Sequence, residues 1–150
     1  MKKTISKALI RDTCLQKQLE LVENYDDRVK EMTSDANSQN QSASQSEDRN
    51  AGNIEILSTM ATELEFVQRE MAFLKSLNPD HINTVVEPGA VVVTKERTFF
   101  IAVSSEKINI DGQVIFGIST NAPIYSAMQG FKKGDTFEIN GVVHKIENVY

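Results

Sequence analysis

Two hydrophobic rhythms divide the chain. Leu57, Met60, Leu64, Val67, Met71 and Leu74 recur at alternating spacings of three and four without a miss. That is the stripe of an α-helix that pairs along a coiled-coil seam. Asn78-Pro79 ends it, because proline lacks an N–H and disfavours helix at the residue before it. An earlier segment repeats the spacing less cleanly. Ile5, Ala8, Leu15, Leu19, Val22 and Val29 keep it, with Asp12 and Asp26 at two of the seam positions. Either two copies pair in parallel through these stripes, or the two helices of one chain fold back on each other. We expect the in-chain antiparallel hairpin and hence a monomer, because the two helices of one chain meet first.

From residue 84 the pattern changes to that of strands. "VVEPGAVVVTKERTFFIAVSS" is rich in β-branched and aromatic residues, with Pro88-Gly89 before a strand and a charged turn at 95–97. Asp111-Gly112 lies between Ile108/Ile110 and Val114/Phe116/Ile118, and Asn140-Gly141 lies between two further strands. Both dipeptides are hairpin signals. "NAPIYSAMQG" reads as a short helix with Asn121 as cap, Pro123 in the first turn and Gly130 as stop. The expected fold is α+β: a helical hairpin over residues 1–80, then a small, mostly antiparallel sheet domain with one short helix over 81–150.

Between the helical stripes lies "TSDANSQNQSASQSEDRN", residues 33–50, which has no apolar run. Its Ser, Asn and Gln residues compete for backbone hydrogen bonds and bury little apolar area. A mobile tip over 33–48 is expected, with the loop proper at 33–46 and Ser46 capping the return helix.

Charge sharpens the picture. Residues 1–19 carry five bases against Asp12, and residues 20–48 carry eight acids against Arg28 and Lys30. Direct grip on a nucleic-acid backbone by this half is disfavoured, since phosphate contacts need clustered Lys and Arg. No apolar stretch approaches the ~18 residues of a membrane span. Arg11-Asp12 interrupts any signal-peptide core in "MKKTISKALIRDTCLQ", so a cytoplasmic protein is expected. The lone Cys14 excludes an internal disulfide and a cysteine metal cluster, and it reads as a helix-surface or seam residue.

Few motifs point to chemistry. "GFKKGD" (130–135) lacks the Gly-Lys-Ser/Thr ending of a phosphate loop and reads as a tight basic turn. His81 and His144 have no ligand spacing, and no serine sits in a nucleophile elbow. Asp35, Glu47 and Asp48 at the tip admit two readings. They are solvated, helix-start acids, or they are hard oxygen ligands that share a Mg²⁺ already half-held by another macromolecule.

"ISTNAPIYSAMQGFKKGDTFEINGVVHKIENVY" (118–150) resembles the end of Gre-type bacterial transcription elongation factors. The residues that carry the likeness are Ile118, Ser119, Pro123, Ala127, Gly130, Gly134, Asp135, Ile146 and Tyr150, with Gly89 and Val91–Val93 as the opening strand. The resemblance implies an FKBP-like C-terminal domain that docks on RNA polymerase at the mouth of its secondary channel. It also implies that the hairpin enters that channel, meeting nucleic acid only through the elongation complex. Active members bring tip carboxylates to the polymerase Mg²⁺, so any metal would be shared with the polymerase and none would be the chain's own. This chain departs from the pattern. Ala122-Pro123 replaces Ser-Pro, Gly130-Phe131 replaces Gly-Lys, and the two essential tip acids align with Ser46 and Arg49.

The leading expectation is therefore a polymerase-binding elongation regulator, not itself an enzyme, with docking residues Ser119, Asn121, Pro123, Lys132 and Lys133. The alternatives are a cleavage-stimulating factor using Asp35, Glu47 and Asp48, a self-associating structural coiled coil, and a peptidyl-prolyl isomerase. The last would need an aromatic-lined pocket, whereas the domain's aromatics suffice mainly for a core.

Overall fold

In a computed structural model the chain forms two long helices, six strands and a short third helix, the α+β class that its two rhythms predict. The structure describes the backbone of residues 4–38 and 43–150 and the side chains of 4–32 and 54–150. Helices α1 (Lys7–Ser38) and α2 (Ala43–Ser76) are followed by β1 (Val91–Thr94), β2 (Thr98–Ala102), β3 (Ser105–Ile110) and β4 (Gln113–Ser119). Helix α3 (Pro123–Met128), β5 (Thr136–Ile139) and β6 (Val142–Val149) complete it. None of the described helices is long and apolar enough to cross a membrane.

The polar tract is more helical than expected. Residues 33–38 continue α1 and 43–48 belong to α2, so Ser46 lies inside a helix and does not cap one. The reason is cooperative: once a helix is nucleated, each added residue gains one hydrogen bond. Ser, Asn and Gln resist this only by tenths of a kcal/mol, and no Pro or Gly interrupts 33–51. Residues 39–42, the middle of the expected mobile tip at 33–48, lie outside the described residues.

The chain divides into two compact units, residues 16–72 and residues 1–15 with 73–150. In the first, α2 buries the predicted stripe. Met60 and Val67 are buried and Leu57, Leu64 and Met71 half-buried. The stripe of α1 is offset from the expected one. Leu19 and Asp26 face outward, and the seam takes Gln18, Val22, Tyr25 and Val29. Gln18 Nε2 donates to Glu70 Oε1 at 3.4 Å, and the Tyr25 hydroxyl donates to Glu63. Seven residues forward in α1 match seven residues back in α2, so one antiparallel register serves both pairs. An aspartate at the seam would have lost its hydration without such a partner, whereas Gln and Tyr reach out of the seam to one.

In the second unit the sheet runs β3-β4-β2-β1-β6-β5. The turns at Asp111-Gly112 (φ 52° and 80°) and Asn140-Gly141 (φ 50° and 79°) close the β3–β4 and β5–β6 hairpins, as the dipeptides predict. One pairing departs from the expected antiparallel pattern. After β2 the chain crosses to the edge as β3 and returns as β4 between β3 and β2, so β2 and β4 run parallel, with Thr98 opposite Ile115 and Ala102 opposite Ser119.

The central strands are buried on both faces. Val91, Phe100 and Ala102 point to one side, and Val92, Phe99 and Ile101 to the other. The second side is covered by Tyr125 and Met128 of α3. The first is covered by Ile5, Ile10, Cys14 and Leu74, which come from the start of α1, its approach and the end of α2. Cys14 is thus a sheet-facing core residue and not a surface or seam one. A division at residue 80 marks where α2 has ended, whereas the packing unit of the sheet reaches back through Phe73 and takes in residues 1–15.

Ile10→Ala and Leu74→Ala are each expected to lower stability in urea by about 2–5 kcal/mol, since both side chains are fully buried. Leu19→Ala, at a position 38% exposed, should stay within about 0.5 kcal/mol. Burial raises the Glu70 carboxyl above its ordinary 4.5. Between 4.5 and that raised value the folded chain binds more protons than the unfolded one, so this group favours folding as pH falls. Glu70→Gln should therefore be the more stable chain at pH 7, with the gap closing towards pH 4.5 in parallel urea titrations.

Candidate partner-docking site

The predicted docking residues lie at and beyond the two ends of α3. At its start, β4 ends in half-buried Ser119, whose Oγ accepts from Asn121 N at 3.0 Å and whose carbonyl accepts from Ala122 N at 3.0 Å. These bonds turn the chain and leave Asn121 and Pro123 exposed. The helix cap is Ala122 (φ −73°, ψ 141°), one residue later than expected, and it makes no side-chain cap bond. Pro123 takes the first helical position, where a missing N–H costs nothing.

At the other end, Gly130 (φ 79°) lets the chain leave α3 and donates its N–H to Val86 O at 2.8 Å. Val86 N returns a bond to Phe131 O at 2.7 Å, and Val85 bridges to Lys132. The basic turn then locks itself. Lys132 N donates to Asp135 Oδ2 at 2.9 Å, Asp135 N donates to Lys132 O at 3.0 Å, and Gly134 N donates to Ile146 O at 2.8 Å. The backbone is held while the Lys132 and Lys133 side chains stay exposed. Neither lysine joins an ion pair among the described residues.

The five residues therefore form two groups and not one cluster. Ser119, Asn121 and Pro123 lie at the N-terminal end of α3, and Lys132 and Lys133 lie beyond its C-terminal end. Six helical residues separate the ends by about 9 Å. Such an arrangement offers polar contacts at one end and two exposed positive charges at the other. It offers no convergent acid, base or nucleophile. The side chains of the tip acids Asp35, Glu47 and Asp48 lie outside the described residues. The aromatics of an isomerase pocket are otherwise engaged: Phe99, Phe100, Tyr125 and Phe137 are core residues, with Phe116 and Phe131 packed against them.

Two polar features escaped the sequence reading. Lys7 is buried and donates its ammonium to His81 O at 2.7 Å and Asn83 Oδ1 at 2.5 Å, while Asn83 Nδ2 donates to Glu87 Oε1 at 2.7 Å. Burial lowers the Lys7 pKa, and the Glu87 carboxylate offsets part of that. At the end of β6, the Tyr150 hydroxyl donates to Ile5 O at 2.8 Å and accepts from Ile5 N at 3.2 Å. A shallow cavity of about 370 Å³ lies beside these groups, bordered by Thr4, Ser6, Pro79 and exposed Ile82. The signal for Lys7 was present in the sequence. It shares a helix face with Ile10 and Cys14 at spacings of three and four.

No protein-family model matches the chain, and no curated protein matches it. Solved structures do align along most of its length. GreA factor homolog 1 (Gfh1) of Thermus thermophilus aligns over 91% of this chain and 94% of its own, at 14% identity and a TM-score of 0.35. A structure of the transcription factor Gfh1 aligns over 91% and 92% at 14% identity and 0.34. Thermus aquaticus Gfh1 aligns over 90% and 92% at 13% identity and 0.34. Identity and superposition at this level do not establish kinship.

Tyr150→Phe keeps the ring and removes both bonds to Ile5, leaving that residue's backbone groups without the hydroxyl. The expected loss is about 0.5–1.5 kcal/mol of stability in urea, with helical circular dichroism unchanged in native buffer.

Proposed function

We propose that this chain binds bacterial RNA polymerase as a Gre-type elongation regulator, with α1 and α2 as the element that enters the secondary channel and the loops around α3 as the docking surface. The carrying observation is the set of Gre-like residues at 118–150. They fall at the end of β4, on α3, in the loop after it and at β6, in the positions their chemistry suits: Pro123 opens α3, Gly130 and Gly134 take positive φ, and Ile146 is core. The helical pair that precedes the sheet supports the same reading. Helices of 32 and 34 residues are about 48 and 51 Å long, a reach suited to a deep channel.

The docking chemistry is that of a polar, partly acidic partner surface. Lys132 and Lys133 supply charge on a rigid turn, and Asn121 supplies an exposed amide beside a fixed proline. Charges of this kind steer encounter more than they hold the complex. The exposed acids of α1, Glu20, Glu23, Asp27 and Glu31, would suit a channel wall bearing the opposite sign. In this reading the chain acts by occupying the channel and altering pausing, backtracking or substrate entry. RNA cleavage through Asp35, Glu47 and Asp48 is not required, because the aligned essential positions are Ser46 and Arg49.

The test is capture of the full chain by cognate core polymerase, with affinity measured at low and physiological salt. Lys132→Glu with Lys133→Glu should weaken binding at least about tenfold at low salt, or about 1.4 kcal/mol, with less effect once salt screens the turn. Absence of any binding by the parent chain overturns the proposal. Changing Asp35, Glu47 and Asp48 together to Ala should leave RNA cleavage in stalled complexes as it is with the parent chain. A loss of cleavage in that variant would instead establish a cleavage factor.

A further inference from the structure

The stripe of α2 is apolar enough to pair with a second copy of itself, so something must favour α1 as its partner. The seam holds two side chains that are poor choices for stability alone. Gln18 is only 4% exposed, gives one amide hydrogen to Glu70, and keeps its Oε1 buried with no hydrogen-bond partner among the described residues. A leucine there would pack without that burden. One heptad further along α1, Tyr25 repeats the arrangement with Glu63. Other seam positions, such as Val22, Val29, Met60, Leu64, Val67 and Met71, are apolar.

The division of labour between the helices is strict. Both donors lie on α1 and both acceptors on α2. Counting along the seam, the positions of α2 equivalent to Gln18 and Tyr25 are Met60 and Val67, which cannot donate. The positions of α1 equivalent to Glu63 and Glu70 are Leu21 and Arg28, which cannot accept. If α1 paired with another α1, buried Gln18 and half-buried Tyr25 of each helix would lose their carboxylates. If α2 paired with another α2, Glu63 and Glu70 of both helices would face Met and Val in place of Gln18 and Tyr25. Only α1 against α2 gives both Gln18 and Tyr25 a carboxylate partner.

We propose that Gln18–Glu70 and Tyr25–Glu63 form a pairing code that makes the two helices chemically unlike and so keeps the chain from associating through its own stripes. The code gives up packing for partner choice, as a polar residue does in other coiled coils. It is independent of what the chain binds.

The test uses the full chain in sedimentation equilibrium, circular dichroism and thermal unfolding. The parent should be monomeric across the micromolar range. Gln18→Leu with Tyr25→Leu removes both donors and should keep its helix content while forming a concentration-dependent dimer. Gln18→Glu alone sets two carboxylates against each other and should lower Tm by at least about 3 °C. Adding Glu70→Gln restores a donor and an acceptor in exchanged places and should recover most of that loss. A dimeric parent overturns the proposal, as does a monomeric Leu/Leu variant with intact helix content. So does failure of the exchanged pair to recover Tm. Loss of helix content in the Leu/Leu variant also counts against it, since the pairs would then hold the hairpin together without selecting its partner.

Discussion

The sheet cannot stand with one face bare. β1 and β2 place Val91, Phe100 and Ala102 on one side and Val92, Phe99 and Ile101 on the other, all buried. Each Val, Ile and Phe among them is worth roughly 1.5–3 kcal/mol only while its face stays covered. α3 covers the second face from within the C-terminal half. The first is covered by residues that precede it, Ile5, Ile10, Cys14 and Leu74. The C-terminal half therefore shares one of its two core clusters with residues that precede it. The two polar latches follow from this constraint. Tyr150 grips the backbone of Ile5, and Lys7 grips the 81–83 segment, so the start of α1 is fixed to the sheet by hydrogen bonds as well as by apolar contact.

Legibility in the sequence tracked how much of an element is decided locally. The stripe of α2 was readable because its six apolar positions admit one face. That of α1 was not, because Leu15, Leu19, Val22 and Val29 also fit a heptad, and hydrophobicity alone prefers Leu19 to Gln18. The face that is buried holds Gln18, whose partner Glu70 lies 52 residues away and is not visible in the local pattern. The two hairpins were legible because Asp-Gly and Asn-Gly favour positive φ. The parallel β2–β4 pair was not, since it depends on where the chain returns after β3 and leaves no mark on the period of either strand. Likewise, the content of 33–46 argued for a loop, but at 33–38 and 43–46 helix propagation overrode weak local preferences.

The site was legible in a similar measure. Glycine and proline marked the turns around α3, so the exposed residues between them could be named. Which residue caps the helix could not, because Ala122 owes that place to the Ser119 turn and not to its own side chain. The burial of Lys7 was hidden by the habit of reading lysine as surface. Its acceptors are Asn83 and the His81 carbonyl, in a stretch whose composition says little.

These placements have a consequence for binding. Within the sheet unit, α3 lies over the face that holds Val92, Phe99 and Ile101, while the ends of α1 and α2 lie over the opposite face. A partner that engages Asn121, Pro123, Lys132 and Lys133 therefore meets a surface that the helix roots do not use. Docking there would leave the contacts of Ile10, Cys14 and Leu74 intact. The loops concerned are also stiffened by their own backbone bonds, from Ser119 to Ala122 and from Lys132 to Asp135, so a partner need not order them at its own expense. At this surface exposed charge would then steer the encounter, and shape on a preformed frame would hold it. Changes in the helical pair should reach it only if they disturb the one core that both the sheet and the helix roots share.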